Sequence, residues 1–212
     1  MTMDSARDNV GKLILASSSP RRHKLLTQAG FVFDVLPSPF DEPHDFADDV
    51  SPANRAEASS YFKARSVARL CTDEVILAAD TVVALGPDVF GKPTDVHDAR
   101  RILSKLAGTT HQVITGVTLF DAGSRRRVIG HDTTGVTMRP MDDDALDKYL
   151  AGNDWRGKAG AYGIQDRGDA FIERIEGSFT NVVGLPMELV ANLLADWGIR
   201  PTAKTFAAPN GG

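Results

Sequence analysis

The sequence predicts an α/β fold built on one mixed sheet, and three observations carry that expectation. Short apolar runs alternate with segments of helical period along the first half of the chain. Two long β-like runs, "HQVITGVTLFD" and "RRRVIGHDTTGVTM", follow each other across "AGS" and read as an antiparallel hairpin. The order of strands and helices is too irregular for a purely doubly wound sheet. With 212 residues, 42% of them hydrophobic, the chain can bury one sizeable core or two tightly joined lobes.

Taken in order, residues 13–17 form a short apolar strand and residues 20–29 a helix. Ser19 is a natural N-cap, Pro20 suits the first helical position, and Gly30 marks the stop. "FVFDVL" (31–36) reads as a second short strand, followed by the proline-punctuated acidic loop "PSPFDEPHDFADDVSP". Ser51-Pro52 repeats the cap signal, and the helix it opens runs to about Leu70. "EVILAADTVVAL" (74–85) is a buried strand that ends at the turn Gly86-Pro87-Asp88. A helix over roughly 95–107 precedes the hairpin, and "DDDALDKYLA" makes a short helix after it. The glycine-rich stretch 157–168 leads into the strand "AFIERI", and a helix from Pro186 to Trp197 closes the pattern. Residues 13–200 are expected to form a single domain, with 1–12 and 201–212 as flexible termini.

Composition narrows the function. The chain has 24 Lys+Arg against 28 Asp+Glu, a formal charge of −4, which argues against a nucleic-acid binder. An anionic ligand therefore needs a local cluster of cations or a metal ion. The single Cys71 excludes an intrachain disulfide and a cysteine-rich zinc site, and it suits a reducing cytoplasm. The polar start "MTMDSARDNVGK" lacks the apolar centre of a signal peptide, and no run approaches a membrane span.

"LILASSSPRR" places Arg21 and Arg22 in a first helical turn, where the helix dipole disfavours positive charge. Two solvated arginines there would cost little. The sharper reading is that hydroxyls, free N–H groups and guanidinium groups converge on an anion such as phosphate. This stretch alone leaves both open.

Asp80 interrupts an apolar strand that reads as buried on both faces, where a lone carboxylate costs several kcal/mol, roughly, without compensation. It is either bonded to neighbours such as Thr81 or marks a site, and the cost of burying it favours the site. Lys63 shares a helical stripe with Ala56, Ser60 and Val67, a face of mostly small residues that should pack inward. A lysine there either snorkels outward or pairs with an internal anion. Lys92 in "FGKP" and Lys158 in "GKAGAYG" sit in glycine-containing turns, where a lysine is commonly just solvated. The pair Asp41-Glu42 belongs to an exposed loop unless that loop folds over the site. No GxxxxGK[ST] loop, HExxH helix or dinucleotide fingerprint is present. The five histidines lack ligand spacing, whereas a carboxylate-bound Mg²⁺ would suit Asp80 and Glu42.

Together, "LILASSSPRR", the "DE" at 41–42, "AADTVV", "FGKP" and "GKAGAYGIQDRGDAFIERIEGSFTNVVGLP" closely resemble the Maf family of nucleoside triphosphate pyrophosphatases, from about Leu13 to Trp197. The "GAYGIQ" form resembles the branch acting on dTTP and UTP rather than the one acting on 7-methyl-GTP. The resemblance implies an elongated mixed α/β structure of two lobes around a cleft, related to the inosine triphosphatase architecture, and a homodimer. It implies hydrolysis of a nucleoside triphosphate to the monophosphate and pyrophosphate with a divalent metal, Mg²⁺ or Mn²⁺. It makes Asp80 the proton acceptor and Arg21, Thr81 and Gln165 the specificity positions. Ser17, Arg22, Glu42, Lys63, Lys92 and Lys158 fall on motif positions that line the site, with Glu42 and Asp80 at the metal. Ser18 stands where glycine is also common in the family. The rival from another class is a nucleotide-binding regulator of cell division, which would need the cationic cradle but not Asp80 with its lysines.

Overall fold

A computed structural model of the chain describes residues 11–40, 50–165 and 170–202. The Asp41-Glu42 pair and most of the expected flexible termini lie outside the described residues. The strands are β1 (Leu13–Leu15), β2 (Asp34–Val35), β3 (Val75–Leu85), β4 (Asp88–Phe90), β5 (Thr110–Asp121), β6 (Arg127–Met138) and β7 (Ile172–Glu176). The helices are α1 (Pro20–Gln28), α2 (Pro52–Ala68), α3 (Val96–Leu106), α4 (Asp143–Leu150), α5 (Phe179–Val183) and α6 (Met187–Asp196). No helix among the described residues is long and apolar enough to cross a membrane.

The strands form one seven-stranded mixed sheet in the order β2-β1-β3-β5-β6-β7, with β4 also paired to β3. β1 runs parallel to β2 and β3, and the other pairings are antiparallel. The expected α/β class and the long hairpin are therefore present. β3 organises the rest. One edge pairs with β5 from Val75 to Ala84, while the other pairs first with β1, at Val75 to Leu77, and then with β4, at Val83 to Leu85. Between those two partners, residues 79–82 have no strand on their outer edge among the described residues. That gap is where a ligand can reach the sheet.

Period-two alternation sorts the core. Leu13, Leu15, Leu77 and Ala79 join one cluster with Leu26 of α1, Leu103 of α3 and Val190 of α6. Ile14, Ala16, Ile76 and Ala78 join the opposite cluster with Ala64 and Val67 of α2. Asp80 shares parity with Ile76 and Ala78 and so turns towards α2, while Thr81 turns to the other side. α2 lies close against the sheet because Gly116, paired with Asp80 across β3 and β5, has no side chain. A Cβ there would run into the Ala56 carbonyl.

Three elements differ from expectation. The strand foreseen over 31–36 shrinks to Asp34–Val35 because the Phe31 N–H is spent closing α1 on the Leu26 carbonyl at 3.2 Å. The expected turn at Gly86 is a two-residue hairpin, with Gly86 at φ 57°, and it returns the chain as β4. α5 is one short turn capped by Ser178, too brief to show a period in sequence.

Candidate active site

The C-terminal end of β1 delivers Ser17 to the gap beside β3, where the Ala16 N–H donates to the Leu77 carbonyl at 2.8 Å. Ser19 then caps α1 as expected, accepting from the Arg22 N–H, with Pro20 opening the helix. Ser51 caps α2 in the same way. The inward stripe read from the sequence is real, since Ala56, Ser60, Lys63 and Val67 are all buried.

These elements border a cleft of about 470 Å³, within the size range of small-ligand sites. The structure brings Ser17, Arg21, Arg22, Lys63 and Asp80 to its wall. Thr81, Lys92, Lys158 and Gln165 line it as well. Glu42 lies outside the described residues. Asp80 is the only carboxylate among the described lining residues, which also include Arg21, Arg22, Lys63, Lys92 and Lys158. An overall acidic chain thus holds a locally cationic pocket, suited to a polyanion.

Inside it, Lys63 Nζ donates to Asp80 Oδ1 at 2.5 Å, with both side chains buried. Of the two alternatives for Lys63, the internal pair is the one present. Arg22 is held from several sides. Its Nε donates to the Gly184 carbonyl at 2.8 Å and its Nη1 to the Ala79 carbonyl at 2.7 Å. Further bonds run from Nη1 to Ser17 Oγ at 3.3 Å and from Nη2 to Thr81 Oγ1 at 3.1 Å. With these donors engaged, Arg22 acts as a charged strut joining α1, β3 and the end of α5. Arg21 is more exposed and donates to the Gly157 carbonyl at 3.2 Å.

The described part of the glycine-rich segment, residues 157–165, forms another wall. Lys158 is buried, and Gly163 makes room for it, because a Cβ at 163 would come within 3.0 Å of its Cδ, Cε and Nζ. Gly160, at φ 72°, bends the segment, and its N–H donates to the Gly91 carbonyl at 3.1 Å next to Lys92. Tyr162 lines the cleft with its hydroxyl 2.7 Å from His111 Nε2 in β5. Burial pushes the Tyr162 phenol up, and burial holds His111 down to about 4, so both are neutral near pH 7.

Sequence reasoning missed Tyr162, His111, Phe40 and the pair Thr115–Asn181 behind Thr81. His111 and Asn181 carried a usable signal, since each places a polar side chain beside an apolar run. Asn181 is fully buried and aims its Nδ2 at the Val113 carbonyl (3.0 Å) and Thr134 Oγ1 (2.9 Å), which ties α5 to the sheet.

The described residues hold no group of three His, Cys, Asp or Glu side chains placed for a metal. A site with one carboxylate and several hydroxyls does not suit a nitrogen- or sulfur-bound metal. It fits a hard divalent cation that takes most of its oxygens from substrate phosphates and water.

A family model for Maf-like proteins matches residues 12–197. A dTTP/UTP pyrophosphatase of Pelotomaculum thermopropionicum is 41% identical over 187 residues, covering 88% of this chain and 97% of that one. A dTTP/UTP pyrophosphatase of Moorella thermoacetica is 43% identical over 190 residues, covering 90% of this chain and 97% of that one. Among solved structures, a HAM1 protein from Coxiella burnetii has a TM-score of 0.44 at 13% identity, covering 88% of this chain and 99% of that one. That likeness is too loose to bear on the site. The family match and these identities extend over nearly the whole chain, through every element that borders the cleft, and the chain belongs to the Maf family.

Proposed function

We propose that the chain hydrolyses nucleoside triphosphates, dTTP and UTP foremost, to the nucleoside monophosphate and pyrophosphate. The observation that carries this is the buried Lys63–Asp80 pair set into a pocket lined by further cations. A protein that only bound nucleotides would need the cations but gain nothing from burying a carboxylate among them. Asp80, paired with Lys63, takes a proton from the attacking water. The water oxygen bonds to the α or the β phosphorus, and the bond from that phosphorus to the oxygen bridging the two breaks. The electron pair leaves with pyrophosphate in the first case and with the nucleoside monophosphate in the second. Arg21, Lys92 and Lys158 offset the charge that grows on the phosphate oxygens. Arg22 supports the same wall by fixing Ser17 and Thr81.

A divalent cation, Mg²⁺ or Mn²⁺, would be held by Asp80 together with substrate phosphates, with Glu42 as a second carboxylate. When bound it supplies further charge neutralisation at the triphosphate. Gln165, Arg21 and Thr81 choose the base or sugar. One glutamine amide can donate to a carbonyl and accept from the ring N–H of thymine or uracil. A homodimer in the cytoplasm completes the proposal, tested by sedimentation and by cell fractionation.

Chromatography of early time points with dTTP tests the reaction. Production of dTMP and pyrophosphate supports it, and initial dTDP with orthophosphate rejects it. In ¹⁸O-water, label in dTMP means attack at the α phosphorus and label in pyrophosphate means attack at β.

A further inference from the structure

Behind the cleft wall, three groups from separate elements form a chain that ends on Arg22. Its Nη2 donates to Thr81 Oγ1 at 3.1 Å. The Thr81 and Thr115 hydroxyls lie 2.9 Å apart, and Thr115 Oγ1 lies 3.3 Å from the Asn181 carbonyl, which can only accept. Thr115 is completely buried, so its proton must find a partner within the protein.

Two proton arrangements satisfy these distances. In the first, Thr81 donates to Thr115 and Thr115 donates to the Asn181 carbonyl, so every hydroxyl proton is used. In the second, Thr115 donates to Thr81, whose oxygen then accepts twice while its own proton has no partner among the described residues. The first also begins at a cation and runs head to tail, so that each bond polarises the next. We infer that Thr115 is a positioning residue that makes Thr81 a pure acceptor towards the cleft. Thr81 keeps one lone pair for the ligand, and that lone pair selects an N–H or O–H donor. This rests on the nucleotide reading above, in which two donors qualify: the ring N–H of uracil or thymine, given to Thr81 in place of the Gln165 amide oxygen, and the sugar 3′-hydroxyl.

Thr115→Val keeps the side-chain shape and removes the acceptor for Thr81. It orphans nothing at Asn181, whose carbonyl still receives the Gly184 N–H at 2.9 Å. The freed Thr81 proton can then point into the cleft. The experiment compares kcat/KM for UTP against CTP, and for dTTP against its 2′,3′-dideoxy analogue, in the wild-type protein and the variant. Thr115→Val should shrink one of the two wild-type preferences by about tenfold, the scale of one hydrogen bond. A fall in the first ratio identifies the ring N–H as the donor, and a fall in the second identifies the sugar hydroxyl. Thr115→Ser should restore the lost ratio. If both ratios are unchanged in Thr115→Val, the inference is overturned. Neutron diffraction from deuterium-exchanged crystals reads the same point without any activity. Deuterium on Thr81 Oγ1 lying towards Thr115 supports the assignment, and deuterium aimed into the cleft overturns it. A protein that hydrolyses no nucleoside triphosphate would reject the proposed function, and the neutron map would still decide the proton.

Discussion

Lys63 Nζ lies 2.5 Å from Asp80 Oδ1, and the two side chains retain only 9% and 8% of their exposure. A buried pair of this kind adds little net stability, because desolvation offsets most of the attraction, but removing one partner leaves a costly charge behind. The pair therefore separates catalysis from stability in a way that substitutions can read.

Asp80→Asn should abolish hydrolysis to the extent of a lost general base, about 10²–10⁴-fold. From the sequence alone, a neutral residue looks cheaper to bury at this position. With Lys63 in contact, the same change strands an ammonium, and the variant should lose about 3–5 kcal/mol. Adding Lys63→Met should restore most of the melting temperature while leaving the protein inactive. An active double variant would remove Asp80 from the role of proton acceptor.

Gly116→Ala should loosen the site from a distance. The new methyl meets the backbone of Ala56 and Glu57, which cannot yield without moving α2. Overpacking of this sort costs about 1–3 kcal/mol, and here it also shifts Lys63 relative to Asp80. Thermal unfolding should show the loss, and kcat should fall more than KM rises. Unchanged kcat would mean that the helix absorbs the methyl elsewhere.

Stability should decline with acidity through His111. Burial holds this imidazole down to about 4 from its ordinary 6.5, so between those values the unfolded chain binds a proton that the folded protein refuses. The stabilisation is complete above pH 6.5 and is lost as pH falls towards 4, amounting to about 2 kcal/mol by pH 5. His111→Gln can still hydrogen-bond Tyr162 but does not titrate. Denaturant melts at pH 7 and pH 5 should show a smaller drop for this variant than for the wild type, and equal drops would remove His111 as the cause.

Gln165→Ala should lower kcat/KM for dTTP and UTP by roughly 10–100-fold, the scale of one or two hydrogen bonds. The loss should be smaller for CTP, whose amino group and unprotonated ring nitrogen mismatch the amide. An equal loss on every nucleotide would show that Gln165 only supports its own loop.

Much of this arrangement was legible in the chain because single residues break a local pattern. Asp80 breaks an apolar strand, Lys63 breaks a small-residue stripe, and both cap signals, at Ser19 and Ser51, sit where helices begin. What was hidden depends on pairing between distant segments. Nothing in "EVILAADTVVAL" says that its pairing with β1 stops at Leu77 and its pairing with β4 starts at Val83, leaving an edge open between them. Nor does "SPRR" reveal that Arg22 is committed to the carbonyls of Ala79 and Gly184. The strand foreseen over 31–36 was shortened for a similar reason, since α1 claims the Phe31 N–H through a local bond that strand propensity does not register.

The bond from Arg22 to the Gly184 carbonyl closes a loop of 162 residues, and that has a consequence during synthesis. A nascent chain that has emerged only as far as β6 already holds both arginines, Lys63 and Asp80, but not the carbonyl that anchors Arg22 or the Asn181 that ends the threonine relay. Contacts of such long sequence separation form late, because their loop entropy must be offset by structure already in place. A ribosome-stalled chain ending before α5 should therefore carry the charges of the pocket without their mutual alignment. Hydrolytic competence would arrive in one step, as the last turn before Gly184 docks onto the sheet.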